Sequence, residues 1–500
     1  MPPLLALTLT CLLIAYLFWR ERSRDYEPSF ALWIPSIWLL ILGSRSVTLW
    51  LNLGSSSLHM VDYAPKSTAV LEEGSPLDRA VFFSLIVLSL VVLIGRRISW
   101  GEIVRNNVWL ILFFAYCGIS IIWSDFSFVA FKRWTKGLGD PLVILVILTE
   151  PQPIKALEIV IRRCAYLLLP ISVLFIKYYP HLGKAYDDWT GVAMYTGITT
   201  NKNMMGFVCM VCGLYFVWKI LGNWGDRRMP KKIQEIQLAI FFLCMIAYLF
   251  NIVDSKTSLM TLFLGIGIVT VLGIAAVRRR FGSYIIAGAL SFVVLQMSFN
   301  VMDVLVASTG RDATLTGRTE IWSEVLGMGT NPIIGTGFES FWLGDRLQML
   351  WDKYYFKPNQ AHNGYIEVYL NLGWIGLCLV GGMIFSCYRK LGELLRSSRE
   401  LTERVHFGRL GMAFLTGYLV YNYTEAAFKS EHFMFLIFLL FAITYPQPQQ
   451  RVAQSSPSFP GTVGEIPGVE GDGGESLSHA NTVWTFHPRD SVLLKPTHGL

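Results

Sequence analysis

Of the 500 residues, 53% are hydrophobic and 15% charged, against about 25% charged in an ordinary soluble domain. The apolar residues form blocks of bilayer-crossing length, roughly 17–25 residues, which excludes a soluble enzyme and predicts an all-α polytopic membrane protein. The net charge of +7 lies in short Lys/Arg clusters between those blocks, so it reports topology and not nucleic-acid binding.

In chain order, apolar blocks run near 3–19, 30–50, 80–95, 108–123, 138–149, 164–179, 204–222, 237–253, 258–277, 284–306, 364–388, 407–424 and 432–445. Read as helices they give about 12–13 spans, with the short 138–149 block the candidate for a re-entrant segment. The first block is followed by Arg20, Arg22 and Arg24 and lacks a small-residue cleavage site, so an anchor is expected and not a signal peptide. Cys209-x-x-Cys212 falls in mid-helix with no second Cys/His pair nearby and reads as helix packing, not as a metal or redox site.

The basic clusters at 20–29, 96–107, 150–163, 219–236, 278–280 and 389–409 belong on the cytoplasmic side. The N-terminus is then outside and the C-terminus inside. Lys132-Arg133-x-x-Lys136 is the exception, basic but on the outer side. It reads as an amphipathic interfacial segment or as a local fault in the topology. The expected organisation is a membrane bundle of about ten helices over 1–306, an outer cap over 307–363, membrane helices over 364–445 and a disordered cytoplasmic tail over 446–500. The cap segment carries many aromatics, a helix-like "RTEIWSEVLGMG" and a turn "NPIIGTG", so it should fold. The tail is rich in Pro, Gly and Ser.

Costly polar groups collect toward the outer face. They are Asp254-Ser255-Lys256, the "TTNKNMMG" stretch at 199–206 with Asn203, Asp303, Arg311, Arg318, His362, Glu425 and Lys429. Asn363, Glu367 and Asn371 follow His362 at i, i+4 and i+8 spacing, one stripe on a helix. Such a stripe faces protein or water, not lipid. It serves either as packing between helices, the simpler reading for Asn371, or as the wall of a site. Arg318 precedes a short helix that Thr316 or Thr319 would cap; a phosphate clamp and an ordinary exposed arginine both fit.

Together these residues resemble a known family. "TGRTEIWSEVL", "NPIIGTGFESFW" and "QAHNGYIEVYLNLGWIGL" are similar to the signature region of the bacterial O-antigen ligase and Wzy-type polymerase superfamily. "WSD" at 123–125, "NKN" at 201–203 and "DSKTS" at 254–258 follow it more weakly, and the spellings are most like the exopolysaccharide-polymerase branch. The resemblance implies a GT-C-like helical glycosyltransferase with a periplasmic cap, in the bacterial inner membrane. Its donor would be an undecaprenyl-diphosphate-linked glycan and its acceptor a second glycan. It implies no cofactor and no metal, and the sequence has no Asp-x-Asp or His-Glu-x-x-His motif. Chain-length and export proteins are the implied partners.

By position, His362 matches the residue expected to activate the acceptor or contact the diphosphate, and Arg318 a diphosphate-binding arginine. Arg311 and Lys256 are further diphosphate candidates, Lys256 with a point charge in place of the arginine fork. Asn203, Asn363, Glu367 and Glu425 are candidates for substrate binding or for positioning helices. A ligase acting on lipid A–core has the same chemistry with a different acceptor. A transporter of lipid-linked sugars would call for internal repeats and charges along a central path, neither of which the sequence offers.

Overall fold

The computed structural model describes residues 1–22, 26–52, 74–96, 98–186, 192–225, 228–285, 287–288, 291, 318–354, 356–397 and 402–445. Asp303, Arg311, Thr316, nearly all of the 284–306 block and the tail lie outside the described residues.

The all-helical membrane class holds. The principal helices are α1 Pro3–Arg22, α2 Trp33–Leu42, α3 Pro76–Gly95, α4 Ser127–Gly137, α5 Gly139–Leu148, α6 Pro153–Tyr178, α7 Lys202–Asn223, α8 Pro230–Val253, α9 Lys256–Val271, α10 Arg318–Gly327, α11 Gly344–Lys353, α12 Gly364–Arg396, α13 Glu403–Thr424 and α14 Phe433–Ala442. One small antiparallel hairpin, Lys184–Tyr186 with Ala193–Tyr195, interrupts them.

The helix count differs from the hydropathy reading. Among the described residues six helices are long and apolar enough to cross a bilayer, or seven with the pair Trp100–Asn106 and Val108–Trp123, bent by 93°. Several apolar blocks fold into shorter pieces. The 138–149 block is the ten-residue α5, about 15 Å long against the roughly 30 Å hydrocarbon core. Burial sorts the long helices. In α6 and α7 most residues are buried, whereas α1 and α3 keep apolar side chains such as Leu12 and Phe83 exposed, as helices facing lipid must. Cys209 and Cys212 are free, buried thiols on α7.

The segment from 318 to 363 has its own apolar cluster. Ile321 and Val325 of α10, Leu347, Leu350 and Trp351 of α11, and Phe341 pack with Leu370 of α12. A backbone joint fixes this segment to the membrane helix. At Gly373 α12 breaks (φ 63°, ψ −162°). The "NPIIGTG" turn fills the break: Trp374 and Ile375 donate to the Pro332 and Ile333 carbonyls at 2.9 and 3.2 Å, and Thr336 and Gly337 donate to Leu370 and Asn371 at 3.0 and 2.9 Å. A Cβ on Gly373 would lie 2.2 Å from the Ile333 oxygen, and one on Gly335 2.4 Å from the Asn371 carbonyl carbon. Both glycines also have φ near +65°, a conformation other residues adopt only at a cost.

Candidate functional site

Glu425 is the centre of the site. It follows the last turn of α13 in extended conformation, and its carboxylate is nearly buried. Three side chains distant in sequence converge on it. Asn203 Nδ2 donates to Oε1 at 2.8 Å, Arg318 Nη2 donates to Oε1 at 3.0 Å, and His362 Nδ1 meets Oε2 at 3.1 Å. Arg318 also donates through Nη1 to the Thr424 carbonyl. Burial opposes the charge of Glu425, but the hydrogen bond from His362 and the charges of His362 and Arg318 outweigh it. The carboxyl is held below its ordinary range.

His362 has φ +49°, in the left-handed region, at a cost of about 1–3 kcal/mol for a non-glycine residue. The surroundings enforce it. The preceding residue is held on both sides: Ala361 N–H donates to Glu367 Oε1 at 2.5 Å, and Trp322 Nε1 donates to the Ala361 carbonyl at 2.7 Å. On the other side Asn363 caps α12, accepting the Tyr365 and Ile366 N–H groups at 3.0 and 3.1 Å and donating to the Tyr423 carbonyl at 3.1 Å.

The polar stripe therefore divides. Asn363 and Asn371 hold backbone, Asn371 by accepting Phe341 N–H at 3.1 Å and donating to the Glu367 carbonyl at 2.9 Å. Glu367 takes the peptide next to His362 and the Trp342 indole N–H at 2.9 Å.

His362 and Glu425 open onto a cavity of about 1320 Å³. Its lining carries the cations Arg79, Lys132, Arg133, Lys136, Lys202 and Lys429 together with the apolar side chains Phe83 and Ile86 of α3 and Phe128 and Phe131 of α4. Asn203 lines it, and Lys256 and Arg318 do not. Arg318 stands behind Glu425, and Lys256 lies on the first turn of α9. The basic cluster on α4, anomalous in the sequence, is thus a cavity wall. Arg133 donates to the Glu339 carbonyl at 2.6 Å, and Lys136 pairs with Glu431. Sequence reasoning did not place α4 at the site, although its breach of the charge rule was the available signal.

The loop before α14 completes the wall. Fully buried Asp140 accepts the Trp38 indole N–H at 3.0 Å and the Glu431 N–H at 2.8 Å, anchoring the loop. Burial pushes Glu431 above the ordinary carboxylate range against the pull of Lys136. His432 is pushed down to about 4 by burial and by the charge of Lys429. Its Nδ1 accepts the Met434 N–H at 3.2 Å, capping α14 as a neutral ring. Glu339, His362 and Glu431 all line the cavity with positive φ, consistent with strain collecting at functional sites.

The arrangement joins a carboxylate-held imidazole, whose Nε2 has no hydrogen-bond partner among the described residues, to a cavity lined by cations and apolar side chains. Such a site can take a proton from a hydroxyl and hold an anionic group on an apolar tail. Residues 239–381 match the family described as O-antigen ligase. That segment holds Arg318, His362 and Glu367, while Asn203, Glu425 and α4 lie outside it. The chain is also 25% identical over 342 residues to the exopolysaccharide production protein ExoQ of Rhizobium meliloti (strain 1021), covering 66% of this chain and 75% of that protein. Both agree with the resemblance carried by residues 315–380.

Proposed function

We propose that the protein is a membrane glycosyltransferase that polymerises glycan repeat units delivered on undecaprenyl diphosphate, at the periplasmic face of the inner membrane. The observation that carries this reading is the convergence of Asn203, Arg318 and His362 on Glu425 at the edge of a cavity lined by both cations and apolar side chains. The cations suit the diphosphate and the apolar side chains its lipid.

In the proposed step, Glu425 accepts Nδ1–H of His362 and fixes the tautomer that leaves Nε2 basic. Nε2 takes the proton of an acceptor hydroxyl as its oxygen bonds to the anomeric carbon. The bond from that carbon to the diphosphate breaks, and the electron pair leaves with the phosphate, stabilised by Lys132, Arg133, Lys136 and Lys429. Arg318 positions Glu425 and so acts through it.

His362→Ala, with membrane insertion confirmed, should abolish long polymer and leave single repeat units on lipid; normal chain length would sink the assignment. Turnover that persists in EDTA would support the metal-independent reaction that the resemblance implies. A reporter fused within 320–350 should read periplasmic. The match to the family described as O-antigen ligase favours a second reading, transfer of finished glycan to lipid A–core. In that case the variant would accumulate full-length polymer on its carrier.

A further inference from the structure

Beside the main cavity lies a smaller recess of about 250 Å³. The two share a rim that includes Glu339, Asn359, Gln360 and Lys429. Past that rim the chemistry changes. The lining of the recess includes Trp342, Phe338 and Phe428 with the carboxylate of Glu367, and among the described residues it has no cation beyond those of the rim. Glu367 receives one hydrogen bond on each oxygen, from Ala361 and Trp342, so each oxygen keeps a free lone pair. Asn359 is exposed at the rim.

Aromatic rings beside a carboxylate and amides match a sugar ring, which has apolar C–H faces and a hydroxyl edge. They do not match a diphosphate or an isoprenoid tail, for which the main cavity has cations and apolar helices. In a single displacement the attacking hydroxyl and the leaving diphosphate stand on opposite faces of the anomeric carbon. A compartment that opens beside the cations of the main cavity and next to the His362 loop is where an acceptor would stand.

We propose that this recess is the acceptor-sugar subsite, with hydroxyl groups donated to Glu367 and held at the rim by Asn359. The proposal rests on the glycosyl-transfer reading above. One acceptor hydroxyl projects past the rim to Nε2 of His362, which receives its proton as the new C–O bond forms and the diphosphate departs.

The test uses the full-length protein in lipid nanodiscs. The donor is the lipid-linked repeat unit extracted from producing cells, and the acceptor probe is the same repeat unit released from its lipid. Asn359→Ala should raise KM for the soluble acceptor about fivefold, the loss of one hydrogen bond. Asn359→Trp, which crowds the rim, should raise it at least about tenfold. Asn359 also borders the main cavity, so the rise in acceptor KM should exceed any change in donor KM in both; an equal or larger rise in donor KM overturns the proposal. An unchanged acceptor KM in both variants overturns the proposal, as does a rise confined to donor KM, which would give the recess to the donor sugar. Because Asn359 is exposed, the alanine variant decides if the tryptophan variant fails to fold. If His362→Ala keeps wild-type turnover, the glycosyl-transfer reading itself has failed. If His362→Ala is inactive and the Asn359 variants have wild-type acceptor KM, only the recess has failed.

Discussion

Two carboxylates in this protein each hold two basic groups, and they do different things. Glu21, at the end of α1, meets Arg162 and Arg163 of α6 at 3.3 Å each, and Arg163 lies 4.2 Å over the Trp33 ring. Glu425 meets Arg318 and His362 at 3.0 and 3.1 Å. The first cluster is sealed, with all three side chains at most 7% exposed. In the second, His362 keeps 32% of its side chain exposed on the large cavity. α7 links the two regions: Asn203 on its first turn reaches Glu425, and Lys219, about 24 Å along the axis, pairs with Glu158 of α6. A sealed pair of permanently charged arginines can only hold helices together. Exchanging one for a titratable ring and opening it to a cavity gives a group that can move a proton.

The largest expected effect is at His362. Alanine there should lower turnover by about 10²–10⁴-fold, the range of a general base, with only a small loss of Tm because Asn203 and Arg318 still hold Glu425; a loss of Tm as large as that at the sealed cluster would make the two clusters alike. Glu425→Gln should fall in the same range, because the orienting carboxylate becomes a neutral amide, and Arg318→Ala should lose less. At the sealed cluster, Glu21→Ala leaves two buried guanidinium groups uncompensated and should cost about 3–5 kcal/mol. It should appear as a lower Tm and yield with normal turnover per folded molecule.

Smaller effects test the cavity wall. Lys132→Ala should raise donor KM roughly 10- to 100-fold by removing a charge-assisted contact, and the deficit should shrink as salt rises. A deficit independent of salt would remove α4 from phosphate binding.

The smallest effect concerns pH. His432 has its folded pKa lowered to about 4 from 6.5, so between those values the unfolded chain binds the proton and the folded chain does not. Stability is then flat above pH 6.5 and falls as pH drops toward 4, by a few degrees in Tm. Protonation also removes the acceptor that caps α14. His432→Asn keeps a cap without the titration and should flatten the profile; an unchanged acid slope would place the sensitivity elsewhere.

Hydropathy alone was enough for the all-helical membrane class. The motif glycines and His362 stood out because local sequence carries them: a turn needs Gly335, and a polar group at a helix entrance needs a reason. The shortness of the 138–149 block was legible, but the helix count did not follow from hydropathy, because an apolar block such as 30–50 carries no record of where it breaks; it folds as Trp33–Leu42 and Val47–Leu51.

The same limit holds at the site. That costly groups exist at 203, 318, 362 and 425 follows from composition, since each would be expensive in lipid. That they meet on one carboxylate depends on four segments converging in space, which no local spacing encodes. Arg318, read as a diphosphate-binding candidate, and Glu367, read as binding substrate or positioning a helix, gained their places from packing. Arg318 stands behind Glu425, and Glu367 holds the Ala361 N–H beside His362 while its side chain lines the recess. Residue chemistry is local and is written in the chain, whereas the direction a side chain faces is set by neighbours hundreds of positions away.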